Sequence, residues 1–596
     1  NPVSVAVSGK TAKVITTNVS SENEVTNLGG LIGSYVVDST DKNSAAVMKN
    51  TLAIKGSSSE AGPSIQVAST GGTKAGTTYG GVIGAVSGSS YVEIENVSAS
   101  IADMKNSTTT SVGGLVGKLN DGFLNVGNVT ITTAGDNDLS YGADQVEGHG
   151  GLVGHLVKGV LRLQGETNLE NQKITTAYNH VGQIVGFNEN GLIYALGNGN
   201  GLDADGKGWS LTRYSGTNRG GSDIGNWGAV IRLGGNLSEG EDGVFTFNEE
   251  THTVTINSSV ENETKADISG ANQFAAYALA FEFSTTNTEA LNLKDKVNRE
   301  QEQTVNLTGD VELTNTGIIG IGKDNVEKGE SEHQFKGTLD GGKYTITLDI
   351  GSIYGNNISE GNNAAGQLYA KRSDQRDTHY SLALIPFAGN VKISNLTIEG
   401  NVICKMPKTV NQVESEIKYP AFVAGAIGLA SGKTEFNNVT VNTKSSVTEE
   451  APDAKKLLAW QGGFLARCEG STLIFKECTW GNIAGNTASL ADERNTDNHR
   501  IGGLAAEVMG GCTVTVSNTT LSGSITSASQ FNANVGGLIA VSRGEDSNKK
   551  AKSSTIKISE LSVNGEKVTT SSATTTSGGL LGYQWKNTNV EFAANV

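Results

Sequence analysis

Apolar and polar positions along the chain repeat with a long period. Each copy opens on two glycines and two aliphatic residues. The early copies are Gly29-Gly30-Leu31-Ile32-Gly33, Gly80-Gly81-Val82-Ile83-Gly84, Gly113-Gly114-Leu115-Val116-Gly117 and Gly150-Gly151-Leu152-Val153-Gly154. The later ones are Gly462-Gly463-Phe464-Leu465, Gly502-Gly503-Leu504, Gly536-Gly537-Leu538-Ile539 and Gly578-Gly579-Leu580-Leu581-Gly582. Degenerate copies stand at Val181-Gly182-Gln183-Ile184-Val185-Gly186 and Ala424-Gly425-Ala426-Ile427-Gly428. Between second glycines the early spacings are 51, 33 and 37 residues, and those from Gly425 are 38, 40, 34 and 42. A repeat of this length decides the fold before any local motif does.

After the glycines comes a polar turn, then a β-branched run leading into Asn. Examples are Tyr91-Val92-Glu93-Ile94-Glu95-Asn96-Val97 and Thr434-Glu435-Phe436-Asn437-Asn438-Val439. Alternation of period two marks strands, and Gly and Asn mark corners. Short strands at a fixed long period, without helical pattern between them, predict a parallel β-solenoid whose turns stack at about 4.8 Å. Stacking puts the Leu, Val and Ile after the glycines into inward columns. Glycine lets the backbone turn where a Cβ would clash, and Asn tolerates left-handed geometry at a corner. Cys478 takes the Asn place in Phe475-Lys476-Glu477-Cys478, so the Asn ladder is not strict. A flexible Gly/Ser/Thr linker has no need of aliphatic residues at matched offsets.

Residues 1–28 read as strands, Val3-Ser4-Val5-Ala6-Val7 and Ala12-Lys13-Val14-Ile15, running straight into the first glycine pair. Residues 200–235 break the period as last turns plus a long loop. Then Val244-Phe245-Thr246-Phe247 and Thr253-Val254-Thr255-Ile256 predict a hairpin, and 269–281, rich in Ala and aromatics, predict a helix. Asp295-Lys296-Val297-Asn298 extends this to a second short helix. Covering the open edge of a following solenoid is the expected role, because bare strand edges aggregate. The chain begins Asn1-Pro2 without Met and stops within a repeat at 589–596, so a longer protein is expected.

A length of 596 residues exceeds one ordinary domain, but solenoids grow along one axis without enlarging the core. The net charge of −16 and pI near 5.1 argue against nucleic acid, which needs a basic face. They suit a soluble extracellular surface. The cysteines Cys404, Cys468, Cys478 and Cys512 are too uneven for a disulfide framework. Cys468 and Cys478 are the pair placed to bridge within one repeat; buried thiols are the simpler reading. No apolar run of about 20 residues predicts a membrane span.

From 273 to 441 the order of segments is a helix, then Leu307-Thr308-Gly309-Asp310-Val311-Glu312-Leu313, then Phe335-Lys336-Gly337-Thr338-Leu339-Asp340-Gly341-Gly342-Lys343-Tyr344-Thr345-Ile346, then Ile393-Ser394-Asn395-Leu396-Thr397-Ile398-Glu399-Gly400 and the glycine repeats. This order resembles bacterial surface proteins with pectin-lyase-like right-handed β-helices and GLUG-type (GGLVG) repeats. The resemblance covers 300–596, and 29–200 through the repeat alone. It implies a secreted or wall-anchored adhesin or stalk. It departs in the weak copy at 424–425, and it concerns architecture, which does not fix function.

Candidate chemistry is sparse. Gly428-Leu429-Ala430-Ser431-Gly432-Lys433-Thr434 evokes a phosphate loop, but Ile427 stands where its first Gly belongs and no helix follows. The histidines have no ligand spacing; His149 and His155 flank one glycine pair and read as solvated turn residues. Asp203 and Asp205, in an Asn/Gly/Asp-rich turn with Asn198 and Asn200, are the Ca²⁺ candidates, though the completing glutamate of an EF-hand is missing. Trp209, Tyr214 and Trp227 are the candidate glycan platform, against packing of their loop on the solenoid. The Asn-x-Ser/Thr sites at Asn96, Asn128, Asn395 and Asn438 fall at the ladder position, which explains them without glycosylation.

The combined expectation is an all-β chain of tandem right-handed parallel β-helices with a short helix-containing junction. The first array spans 1–235, the junction 236–300 and the second array 301–596. No cofactor is expected. Expected partners are host or neighbouring-cell glycans or proteins and end-to-end copies of the chain, without nucleic acid or membrane insertion. The alternative is a β-helix polysaccharide lyase or glycoside hydrolase, which needs clustered carboxylates on one outer face; Asp310, Asp340 and Asp349 follow turns instead.

Overall fold

The computed structural model describes residues 3–6, 14–19, 27–37, 51–56, 64–69, 78–102, 111–134, 138–139, 148–172, 175–176, 181–197, 200–202, 208–212, 230–286, 288–318, 320–322, 334–350, 369–371, 378–406, 421–449, 459–470, 472–481, 488–492, 499–527, 533–545, 550–564, 567–570 and 576–593. The chain is all-β, with one α-helix among the described residues.

Successive repeats lie side by side in parallel register. Gly29, Gly80, Gly113, Gly150 and Gly182 are consecutive partners. So are Ala424, Gly462, Gly502, Gly536 and Gly578. The alternating runs stack too: Leu52, Val92, Leu124, Leu161 and Ile193 form one column. Leu339, Ile393, Phe436, Phe475, Val516 and Ile558 form another. Every residue in both columns is buried, as a period of two with one inward face requires. Phe436 and Phe475 show the stacking directly, with ring centroids 5.2 Å apart and planes within 6°.

The glycine pair makes the corner between strands, and its two members have different reasons. A Cβ on the first, as at Gly80, Gly113, Gly462 or Gly502, would sit inside the carbonyl oxygen three residues on in the same copy. A Cβ on the second, as at Gly81, Gly114, Gly463 or Gly503, would sit inside the second-position carbonyl of the next copy. The second constraint therefore disappears where no further copy pairs. Gln183 occupies that place in the copy that ends the five-stranded ladder, and a Cβ at Gly579 meets nothing within 4 Å. Degeneracy at Gln183 thus has a steric cause.

The third residue satisfies the corner's backbone. Its carbonyl accepts two N–H groups from the preceding copy: Leu115 O takes those of Val82 and Ile83, and Leu504 O those of Phe464 and Leu465. The polar groups of a sharp buried turn are thereby paired, as burial demands. One further corner has no glycine pair. Ile385 pairs with Ile427 and Leu382 with Val423, so the turn at 382–385 carries one residue fewer than its neighbour.

The left-handed corner falls on Asn96, Asn128, Asn395, Asn438 and Asn518, all at φ between 45° and 55°. Asn438 Nδ2 donates to Asn395 Oδ1 at 3.0 Å, and Asn395 Nδ2 to Asp340 Oδ1 at 3.1 Å. In the next copy the left-handed residue is Glu477 (φ 57°), not Cys478. Phe436 pairs with Phe475 and Asn437 with Lys476, which sets Glu477 beside Asn438. Cys478 is one place further on, buried under the column of Val439.

The hairpin forms as Phe245–Asn248 against Thr253–Ile256, antiparallel. The helix is Ala271–Phe283. Its N-terminal Gly270 gives no side-chain cap; instead Gln273 Oε1 accepts from both the backbone N–H and the hydroxyl of Ser269. Phe274 to Phe281 are all buried, so the helix is covered on every side. The segment 295–298 is not helical: it follows the strand Leu291–Leu293 as a bend and irregular chain.

This region joins two sets of strands through one core. The outward column Tyr91, Phe123, Val160 and Leu192 belongs to the same buried cluster as Phe245, the helix and the later columns out to Ile558. Phe123 meets Phe247 at 5.3 Å, and Tyr194 meets Phe245 at 4.9 Å. Polar ties accompany the packing. Asp121, itself at φ 89°, pairs with Lys158 at 2.9 Å and accepts from the Thr288 hydroxyl. The interior of the early repeats is a separate cluster around Leu115, Leu152 and Ile184.

Candidate functional site

Asp203, Asp205, Tyr214 and Trp227 lie outside the described residues. Trp209 is described, and it is not part of an exposed platform. Its strand, Gly208–Thr212, pairs with 165–168 and turns the indole into the core at 0% exposure. There Nε1 donates to Thr167 Oγ1 at 3.0 Å, and the Arg232 guanidinium lies 5.3 Å from the ring centroid. A buried indole needs such a partner for its N–H.

His149 and His155 are likewise buried, not solvated turn residues. His155 Nε2 is 2.7 Å from Glu189 Oε1, with its ring against Phe187. His149 stacks in the ladder between Val112 and Val181, and burial lowers its pKa to about 3. The unfolded chain therefore takes up a proton below about pH 6.5 that the folded chain refuses. Stability from this group is complete above that pH and is lost progressively as pH falls toward 3. Unfolding midpoints in urea should show a loss of about 2 kcal/mol from His149 between pH 8 and pH 5. His149→Gln should flatten that part of the acid limb.

A buried cluster of charged and aromatic side chains surrounds Glu507. Register builds it. Trp460 and Arg500 are partners on one side of the glycine corner, and Arg467 and Glu507 are partners on the other. Met509 pairs with Arg543 in the next copy. Glu507 is 1% exposed. Its Oε2 accepts from Trp460 Nε1 at 2.6 Å and from Arg500 Nη1. Arg543 Nε approaches Oε1 at 2.8 Å as an ion pair without hydrogen-bond alignment, and Arg467 Nε stands at 3.7 Å from Oε2. Arg467 and Arg500 also stack on the Trp460 ring at 5.3 and 5.1 Å, and Phe422 stacks beside it at 4.8 Å.

Burial alone would push the Glu507 carboxyl up. The fields of Arg500, Arg467 and Arg543, with the Trp460 hydrogen bond, outweigh it and hold the carboxyl below its usual range. Burial brings Arg500 down to about 10, against the opposing pull of Glu507. Glu507 and Arg500 keep their charge at neutral pH, so the centre of the cluster is a fixed ion pair and not a proton shuttle. With Glu469 at 3.6 Å from Arg467, three guanidiniums face two carboxylates.

A sequence signal for this cluster existed. Leu429, Arg467, Glu507, Val541 and Tyr583 each stand four places after the second glycine of their copy. Reading across copies at that offset puts Arg467 beside Glu507. No family model, curated protein or solved structure matches the chain.

Proposed function

We propose that this chain is an extracellular structural and adhesive segment of a bacterial cell surface, built as tandem right-handed parallel β-helices. The observation that carries the reading is continuity. Parallel ladders run copy to copy, and one buried cluster links the early aromatic column, the junction helix and the later repeats. Stacked turns supported by their neighbours resist load along the stack and add length without enlarging a core. The acidic, repeat-built surface suits contact with glycans or proteins of a host or neighbouring cell, and with further copies of the chain. No helix among the described residues is long and apolar enough to cross a membrane.

The test is retention of the purified chain on immobilised glycans, on cell-surface protein and on a second copy, alongside incubation with acidic polysaccharides. Retention without new polysaccharide chain ends is expected. Release of shortened oligosaccharides, or retention on none of these surfaces, overturns the proposal.

A further inference from the structure

Four thiols are buried, and two of them meet. Cys468 lies on the strand Leu465–Glu469, and Cys512 lies in the following copy, just before the strand Thr513–Leu521. Cys468 pairs in register with Val508, and Thr472 with Thr513. Cys512 therefore sits diagonally across the turn from Cys468, and the sulfurs are 3.6 Å apart. Both are fully buried within the same core. Cys478, which spacing places to bridge Cys468 within one repeat, is a buried thiol that points elsewhere: its Sγ lies 3.5 Å from Phe436 O and 3.4 Å from Lys476 O.

We propose that Cys468 and Cys512 are a redox modification site, forming a disulfide that staples two consecutive repeats. The co-reactant is a small-molecule disulfide such as oxidised glutathione. One protein thiolate attacks the reagent's S–S bond, forming a mixed disulfide and releasing one small thiolate. The second protein thiolate attacks the protein sulfur of that mixed disulfide and releases the other. Two protein thiols and one reagent disulfide give one protein disulfide and two small thiols, and the two protons pass to the released thiolates. Closure needs the sulfurs to move from 3.6 Å to about 2.0 Å. That is a side-chain rotation between neighbouring strands. The contact with Cys512 and burial raise the Cys468 thiol well above its usual range. Exchange in the folded chain is therefore slow and proceeds through local opening, while exchange during folding is fast.

The inference is independent of the proposed adhesive role. Its test is intact mass and peptide mapping of the full chain. One sample is held folded with oxidised glutathione over days, and another is exposed to it in partly denaturing urea. Each is then unfolded and alkylated. The expected result is a loss of about 2 Da before alkylation, from two hydrogens. One peptide should join Cys468 to Cys512, with Cys404 and Cys478 alkylated. Cys512→Ser should abolish the mass loss, and Cys478→Ser should keep it. Four alkylatable thiols in both samples, or a bond to Cys478, overturns the proposal.

Discussion

Leu504→Asp should melt the later repeats and leave the early ones standing. Leu504 is fully buried at the third position of its corner, between Phe464 of one copy and Leu538 of the next. The substitution removes a leucine side chain worth about 2–3 kcal/mol of burial. It also puts a carboxylate between the buried Phe464 and Leu538, a several-kcal/mol penalty that protonation only partly relieves. Together the loss is about 5 kcal/mol, at the extreme of single substitutions. Each turn is supported by its neighbours, so the defect spreads along the later repeats. The interior around Leu115, Leu152 and Ile184 is a separate cluster and should keep its transition. Thermal unfolding followed by calorimetry should split into an early, lowered transition and an unchanged one. An unaltered profile would mean that Leu504 does not point inward.

Glu507→Gln should cost about 3–5 kcal/mol, because it breaks a buried charge network by removing one partner. Arg467, Arg500 and Arg543 would then face one another with Glu469, which pairs with Arg467, as the neighbouring carboxylate. Arg500 and Arg467 are mostly buried, so water does little to relieve the repulsion. The expected observation is a urea midpoint well below that of the parent. Arg467→Met in the same chain should restore part of the loss by lowering the excess charge, a coupling of the kind contacting residues show. A midpoint equal to the parent's would show that the cage is not formed.

The glycine corner and the charge cage differ in how well the sequence displays them. The corner and its columns are legible because sterics and burial act on residue type at every copy. A Cβ on the first glycine would clash with its own copy and one on the second with the next, and the residues that follow the glycine pair are apolar and buried in most copies. Leu115 and Leu504 are therefore marked by position alone. The left-handed corner is less well marked. Asn is favoured there, but Glu477 fills it in one copy and Glu560 in another, since the partners on either side fix the register whatever the residue. Searching by side-chain type slips to Cys478, one place too far.

Buried polar groups are harder still. Trp209, His149 and His155 look like surface chemistry when read locally, because nothing nearby in sequence announces the partners that bury them. Thr167 is 42 residues from Trp209, and Glu189 is 34 from His155. The same holds for the thiol pair, where Cys512 is 44 residues from Cys468. In such a chain the informative neighbour is one repeat away, and a local window misses it. The segment 295–298 errs the other way: its polar composition permits a helix, but directly after the strand Leu291–Leu293 it runs as a bend and irregular chain.

The central claim is the copy-to-copy register, and it can be measured without imaging. Thr513 and Thr555 are partners in consecutive copies, 42 residues apart in sequence, and both reach solvent. With all four native thiols buried, nitroxide labels can be placed on Thr513→Cys and Thr555→Cys alone. Adjacent strands set the two backbones about 5 Å apart. The continuous-wave resonance spectrum of the doubly labelled chain should be strongly broadened relative to the sum of the singly labelled spectra. A spectrum equal to that sum would contradict the parallel stacking of the repeats.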